Sequence, residues 1–510
     1  MSAFEPISSR GDASGSVHRP DPASTDGLSE AMADLLPALE QFTRFEGRDP
    51  AGRRSLWKPA LDEPLPVQGA GPQAVLEMLR SLVIPNGLRL GAPGFSGWIL
   101  TMPSTVPAAA HFAGMISAPD HGWTTAANFI EELALRWLRE LLALPETYQG
   151  VFTSGGSVAN LVGLGAARQH ACERLGLDAA GEGLHALPRA RAYAGENAHR
   201  SVHRALGVLG LGRQSLQVVP STDEGVLDVA ALSEAIRRDQ RAGLVPIAVV
   251  GAAGDVNTGA VDPIEAIAGI AHDHGVWFHV DGAYGAFGIL DERVRTLFGE
   301  FRGVDSLVVD PHKWMAAPVG CGAVFVRDSE LLSRTFTMEP ADYLEEEAPS
   351  ERDLSSAFDE LPPIHHFALE LSAPSRGLAV WAVLKEIGVA GLATRVGRHL
   401  DCARRVADRV RMTEELELLA EPVLSICCFR FRPPGVTDEE RLALLNNEIA
   451  RRVRARGRCI PSTTRVGGRL AIRPAFINPL TTLADADALV DEVLEAGRSL
   501  VEGAGAQARH

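Results

Sequence analysis

The stretches VWFHVDGAYG (residues 276–285) and SLVVDPHKW (residues 306–314) decide how this sequence folds. Each opens on an apolar, β-branched run and closes on a charged residue, Asp281 in the first and Lys313 in the second. A short apolar run bounded by Gly or Pro reads as a strand buried on both faces, so both charges fall at strand ends. Working outward, GVFTS (150–154), LQVVP (216–220), IAVVGAAG (247–254) and AVFVRD (323–328) repeat the pattern. Helical stretches such as ALSEAIRRDQRAG (231–243) and PIEAIAGIAHDHG (263–275) separate them. Strands alternating with helices predict an α/β fold, a largely parallel sheet with helices on its faces.

The flanks have a different character. LSEAMADLLPALEQF (28–42) repeats apolar residues at helical spacing, and Pro and Gly crowd the connector from Asp49 to Pro72. FIEELALRWLRELLALP (129–145) is an amphipathic helix stopped by Pro145. From about Gly377 a long helical run reaches Arg411, followed by LSICCFRF (424–431), a charged helix, RLAIRPAF (469–476) and a final helix to Val501. That pattern predicts a smaller C-terminal α+β domain. The expected division is a tail over 1–28, an N-terminal helical layer over 29–90, a large domain over 91–376 and a small one over 377–510. The tail, rich in Ser, Asp, Gly and Pro, lacks the apolar core of a signal peptide and reads as disordered.

Composition narrows the function. With 510 residues there is room for two or three domains, and a formal charge of −16 argues against nucleic acid or an anionic membrane as partner. No run reaches the roughly 18 continuous apolar residues of a membrane helix. The 6 cysteines show no C-x-x-C spacing, which predicts reduced thiols and a cytoplasmic protein. His272, Asp273, His274 and His279 present no shared ligand face, so no metal is expected. Only Lys58, Lys313 and Lys385 carry amines on side chains.

Lys313 alone would read as a turn lysine beside a tryptophan. After a buried strand, however, a desolvated lysine is nucleophilic, as Schiff-base chemistry requires. Asp281, at the end of its own strand, suits a pyridine nitrogen that must stay protonated. Upstream, TSGGSVAN (153–160) turns from a strand into a helix, and a helix N-terminus offers N–H groups to a phosphate. It matches neither the P-loop nor the dinucleotide fingerprint. Between them NAHRS (197–201) supplies His199, whose flat ring suits stacking on a planar cofactor. Phosphate loop, stacking ring, strand-end Asp and strand-end His-Lys together describe a site for pyridoxal 5'-phosphate.

On HVDGAYG, DPHKW, SGGSVAN and the Ala198–Val202 stretch, the sequence resembles the group II pyridoxal-phosphate-dependent amino acid decarboxylases, relatives of aromatic L-amino acid and glutamate decarboxylases. The resemblance runs from Leu28 to the C-terminus. It implies a fold-type I (aspartate aminotransferase-like) homodimer with active sites near the subunit interface. It also implies that Lys313 carries the cofactor, Asp281 pairs with the pyridine nitrogen and His199 stacks on the ring. Gly155, Gly156 and Ser157 would hold the phosphate, with Ala283 and His312 lining the cofactor site. Trp98 and Ile99, in PGFSGWILTMPS (93–104), fall where relatives place substrate-pocket residues.

The sequence departs from that family at two places. Gly254–Gly259 reads GDVNTG where relatives often carry Gly-Thr-Thr, so one hydroxyl contact to the cofactor is missing or replaced. Relatives also carry a proton-donating tyrosine on a mobile loop, and none of Tyr148, Tyr193, Tyr284 and Tyr343 falls there. An ungapped count puts His366, beside His365, near that position in a charged, lid-like segment. The expected activity is decarboxylation of an aromatic or bulky apolar L-amino acid to an amine. The alternatives are oxygen-dependent decarboxylation with deamination to an aldehyde, a lyase acting on phosphorylated amino alcohols, and a scaffold without turnover.

Overall fold

A computed structural model of the chain describes residues 27–45, 54–118, 126–336 and 367–507. They fall into two compact units, one ending at Leu88 and one beginning at Arg89. The first holds helices Leu28–Thr43, Arg54–Leu61 and Pro72–Met78, the last running into a wider π turn at Leu79–Val83. The expected tail, up to residue 26, lies outside the described residues.

The second unit carries two sheets. Its strands are β1 (Phe95–Ser96), β2 (Gln149–Thr153), β3 (Ala190–Gly195), β4 (Leu216–Val219), β5 (Val245–Ala252), β6 (Trp277–Asp281), β7 (Ser306–Val309), β8 (Gly322–Val326), β9 (Leu416–Ala420), β10 (Cys428–Phe431), β11 (Ile460–Val466) and β12 (Arg469–Arg473). The larger sheet has the order β2-β8-β7-β6-β5-β3-β4. Strands β3 to β7 run parallel, and β8 is antiparallel to both its neighbours. All six expected strands are present. The strand β3 is an addition, because ARAYAG is built from small residues and lacks β-branched signal.

Side-chain alternation explains why these strands looked continuously apolar. In β7, Leu307 and Val309 enter the core on one face of the sheet, while Val308 enters the core on the other. Likewise Phe278 and Val280 of β6 face one core and Trp277 the other. Burying each such side chain contributes about 1.5–3 kcal/mol. Charge is therefore tolerated only where a strand ends. There the parallel strands β5, β6 and β7 all point their C-terminal ends the same way, the usual ligand side of an α/β sheet.

The smaller sheet has the order β1-β11-β12-β10-β9. Its β1 comes from far upstream, pairing Phe95 with Ile460. Helix Gly377–Arg411 bridges the sheets, packing on helices Thr105–Ser117, Ala126–Leu141 and Leu483–Gln507. It has the length and apolar composition of a bilayer span, yet it is kinked at Gly388 (φ 65°) and 14 of its residues are buried within the protein.

Candidate active site

A cavity of about 720 Å³ opens over the strand ends. Of the residues the sequence singled out, Trp98, Ile99, Gly155, Gly156, Ser157, His199, Asp281, Ala283, His312 and Lys313 all line it. His366 and His365, and the lid expected around them, lie outside the described residues.

The phosphate end is built from backbone. Gly155 caps helix Gly156–Arg174 at φ 133° and supplies no side chain to the first turn, so the first N–H groups stay available to an anion. A Cβ on Gly155 would lie 3.1 Å from His312 Cε1, and one on Gly156 2.8 Å from Asp310 Oδ2. Any larger residue would fill the cradle. His312 donates its Nδ1–H to Cys321 O at 2.7 Å, which turns Nε2 toward Asp310 Oδ2, 3.7 Å away. Burial lowers its proton affinity, so the ring is neutral.

The ring end is built from side chains. Asp281 accepts from Ala283 N at 3.2 Å through Oδ1 and from Asn160 Nδ2 at 3.1 Å through Oδ2. His199 caps helix Arg200–Val208, its Nδ1 within 2.7 Å of Ser201 Oγ and 3.3 Å of Ser201 N. The imidazole opens to the cavity, yet the protein around it lowers its proton affinity, with Asp281 pulling weakly the other way. A neutral ring of this kind suits stacking.

Lys313 Nζ pairs with Asp310 Oδ2 at 3.0 Å. Behind it Trp314 is fully buried, stacked on Tyr284 at 5.2 Å and bonded through Nε1 to His399 Nδ1 at 2.9 Å. The lysine therefore stands on a rigid base.

Opposite the strand ends, Trp98 adopts a left-handed backbone (φ 49°) and exposes 57% of its surface. Its carbonyl accepts from Arg473 Nη1 at 2.6 Å. The same buried guanidinium donates to the carbonyls of Val256 and Asn257. The GDVNTG turn also explains its departure from the expected hydroxyl pattern. Asp255 spends its carboxylate on the N–H groups of Asn257, Thr258 and Ala260 and on the Thr258 hydroxyl. Asn257 instead ties Thr464 to Asn197 across the cavity wall. Three polar residues of the site lie inside motifs already singled out but had no role assigned to them from sequence: Asn160, Asp310 and Arg473. An arginine inside the apolar run of RLAIR was a usable signal for the last.

The glycine cradle, the strand-end acid and the strand-end lysine fit a phosphate, a pyridine nitrogen and a carbonyl carbon in turn, and this fold with this site defines a fold-type I enzyme that uses pyridoxal 5'-phosphate. Residues 115–432 match the pyridoxal-dependent decarboxylase conserved domain, and the chain belongs to that family. It is 31% identical over 425 residues to the aromatic-L-amino-acid decarboxylase of Bacillus atrophaeus, covering 83% of this chain and 85% of that protein. Against the phenylacetaldehyde synthase of Arabidopsis thaliana it is 27% identical over 469 residues, covering 89% and 91%. The crystal structure of Oryza sativa TDC with PLP and tryptamine superposes with a TM-score of 0.85 at 25% identity, over 94% of this chain and 99% of that one.

Proposed function

We propose that this decarboxylase acts on an aromatic L-amino acid, releasing carbon dioxide and the amine, and works as a cytoplasmic homodimer. The carrying observation is that the Asp281 carboxylate and the Lys313 amine stand at the ends of adjacent strands and face one cavity. Bound pyridoxal phosphate supplies a protonated ring that accepts the electron pair left when carbon dioxide departs. The chain's own residues prepare for that. Lys313 Nζ would hold the cofactor at its carbonyl carbon, with the Asp310 carboxylate beside it. Asp281 would keep a ring nitrogen protonated, His199 would offer its flat face to the ring, and the first turn of helix Gly156–Arg174 would take the phosphate. Trp98 and Ile99 offer an apolar wall that excludes water from the reacting carbon.

An aromatic substrate is supported by that wall and by the likeness to an aromatic-L-amino-acid decarboxylase. A homodimer is supported by the exposed apolar side chains of Val106, Phe112, Met115, Ile116 and Phe129. Six buried free cysteines suit a reducing compartment.

A second reading, oxygen-dependent conversion to an aldehyde, is favoured by the tyrosines. Tyr148 bonds Val304 O and Tyr193 bonds Asp239, away from the cavity lining. Tyr284 lines the cavity, but its hydroxyl is tied to Ser425 Oγ at 2.6 Å. Tyr343 lies outside the described residues. The test is to load the protein with pyridoxal phosphate, offer a panel of L-amino acids and measure carbon dioxide, amine and hydrogen peroxide together. Amine equal to carbon dioxide from an aromatic substrate supports the first reading. Aldehyde, ammonia and peroxide in equal amounts support the second, and silence across the aromatic substrates overturns both. Borohydride should fix the cofactor on Lys313; a label on Lys58 or Lys385 would refute the attachment site.

A further inference from the structure

Asn160 sits one turn into the helix that starts at the phosphate loop, and its side chain is 1% exposed. Its Oδ1 lies 2.8 Å from His279 Nε2. Its Nδ2 lies 2.8 Å from Gly156 O, 3.1 Å from Asp281 Oδ2 and 3.2 Å from Ser201 Oγ. An amide nitrogen only donates and an amide oxygen only accepts, so His279 Nε2 carries the hydrogen. His279 Nδ1 must then accept, and the Ser306 hydroxyl, 2.7 Å away, donates to it. Ser306 Oγ accepts in turn from Trp277 Nε1 at 2.8 Å. On the far branch Ser201 Oγ accepts from Asn160 and donates to His199 Nδ1.

Every bond in this chain points one way, from Trp277 toward Asp281 and His199. Trp277, Ser306, His279, Asn160 and Ser201 are all buried, where bonds of one direction polarise each other and an unpaired member is costly. Burial also pushes His279 down to about 4, so the ring stays neutral and the direction holds at neutral pH. Were Asn160 flipped, its oxygen would face the Asp281 carboxylate and the Gly156 carbonyl, two repulsive contacts at once.

We propose that Asn160, oriented by His279 and Ser306, is a positioning residue for the cofactor. Its two amide hydrogens, shared among Asp281 Oδ2, Ser201 Oγ and Gly156 O, tie the strand-end acid, the His199–Ser201 pair and the phosphate loop into a single preorganised unit. The proposal rests on the pyridoxal-phosphate reading of the site, and Asp281→Asn serves as the control that separates the two.

The experiment measures three quantities in Asn160→Asp, Ser306→Ala, His279→Gln and Asp281→Asn. They are the dissociation constant of pyridoxal phosphate from the cofactor-free protein, the pH midpoint of the visible absorption band of the loaded protein, and the melting temperature without cofactor. Asn160→Asp, which sets a second carboxylate against Asp281, should weaken cofactor binding by about tenfold or more and move the band midpoint. Ser306→Ala, which deletes one hydroxyl, should move both in the same direction by less. His279→Gln, which retains an N–H toward Oδ1, should stay closest to wild type. A structural role alone would move only the melting temperature. Unchanged binding and midpoint in Asn160→Asp overturn the proposal; should that variant not fold, the same result in Ser306→Ala overturns it. If Asp281→Asn also binds and absorbs as wild type, the assignment of Asp281 to the cofactor falls instead.

Discussion

Two aspartates end neighbouring strands, one on β6 and one just after β7, and they are held in opposite ways. Asp281 rests on neutral donors, the Asn160 amide and the Ala283 N–H, with a neutral histidine behind. Asp310 is 2% exposed, and its Oδ2 rests on the ammonium of Lys313 while Oδ1 has no hydrogen-bond partner. The first carboxylate is thus fixed by neutral groups of the fold. The second is balanced by the amine proposed to hold the cofactor. On that proposal, the first arrangement serves the loaded enzyme and the second keeps the lysine in place until loading.

The largest expected effect breaks the first arrangement. Asp281→Asn should reduce turnover by about 10²-fold or more, since several kcal/mol of fixed electrostatic support for the ring proton disappear. Melting of the cofactor-free protein should change little. Steady-state decarboxylation and a thermal scan with and without cofactor check both halves, and near-normal turnover would reduce Asp281 to a turn residue.

A third carboxylate sharpens the comparison by showing what neutral donors do in full burial. Glu131 accepts from Ser375 Oγ at 2.7 Å and Gly377 N at 3.1 Å, joining helix Ala126–Leu141 to the start of helix Gly377–Arg411. Burial outweighs these bonds and raises it to about 7 from the ordinary 4.5. Between those values the folded chain holds a proton that the unfolded chain releases, so stability falls as pH rises through the window. The loss is roughly 3 kcal/mol by pH 7. Urea unfolding at a series of pH values should show that slope in wild type relative to Glu131→Gln. His279, held at about 4, contributes the opposite slope, losing stability as pH falls below about 6.5. A difference curve without slope would mean that Glu131 is ionised throughout.

The smallest effect belongs to Asp310. Asp310→Asn should cost the cofactor-free protein about 1–2 kcal/mol, because the Lys313 side chain, 20% exposed, recovers part of its lost partner from water. In the loaded protein, where Nζ is no longer an ammonium, the cost should shrink. Equal losses in the two forms would show that the carboxylate serves packing rather than charge.

The strands and the two strand-end charges were legible because burial on both faces keeps charge to the strand ends, while the neutral polar groups inside, such as His279, are fully hydrogen-bonded. The same physics hid β3, whose alanines and glycines carry no β preference, and β11, whose IPSTTRV reads as a turn. Asn160 stands within the SGGSVAN motif yet shows no role in the sequence, since its partners His279 and Asp281 lie more than a hundred residues away. Arg473 was hidden for the same reason, its acceptors coming from Trp98 and the 256–257 turn. The kink at Gly388 needed a left-handed residue inside a helical pattern, which periodicity does not reveal.

The reach of Arg473 has a consequence for the newborn chain. The guanidinium seals the wall at Trp98 across 375 residues of sequence, and β1 waits for β11 in the same way. Synthesis runs from the N-terminus, and residues 89–510 form one unit that completes its fold only when its last strands have emerged. The phosphate loop, Asp281 and Lys313 are therefore all made while Trp98 still lacks its anchor. A ribosome paused before residue 460 would carry a complete set of chemical groups around an unwalled hollow, and capture of cofactor in a closed site would be among the last events of biogenesis.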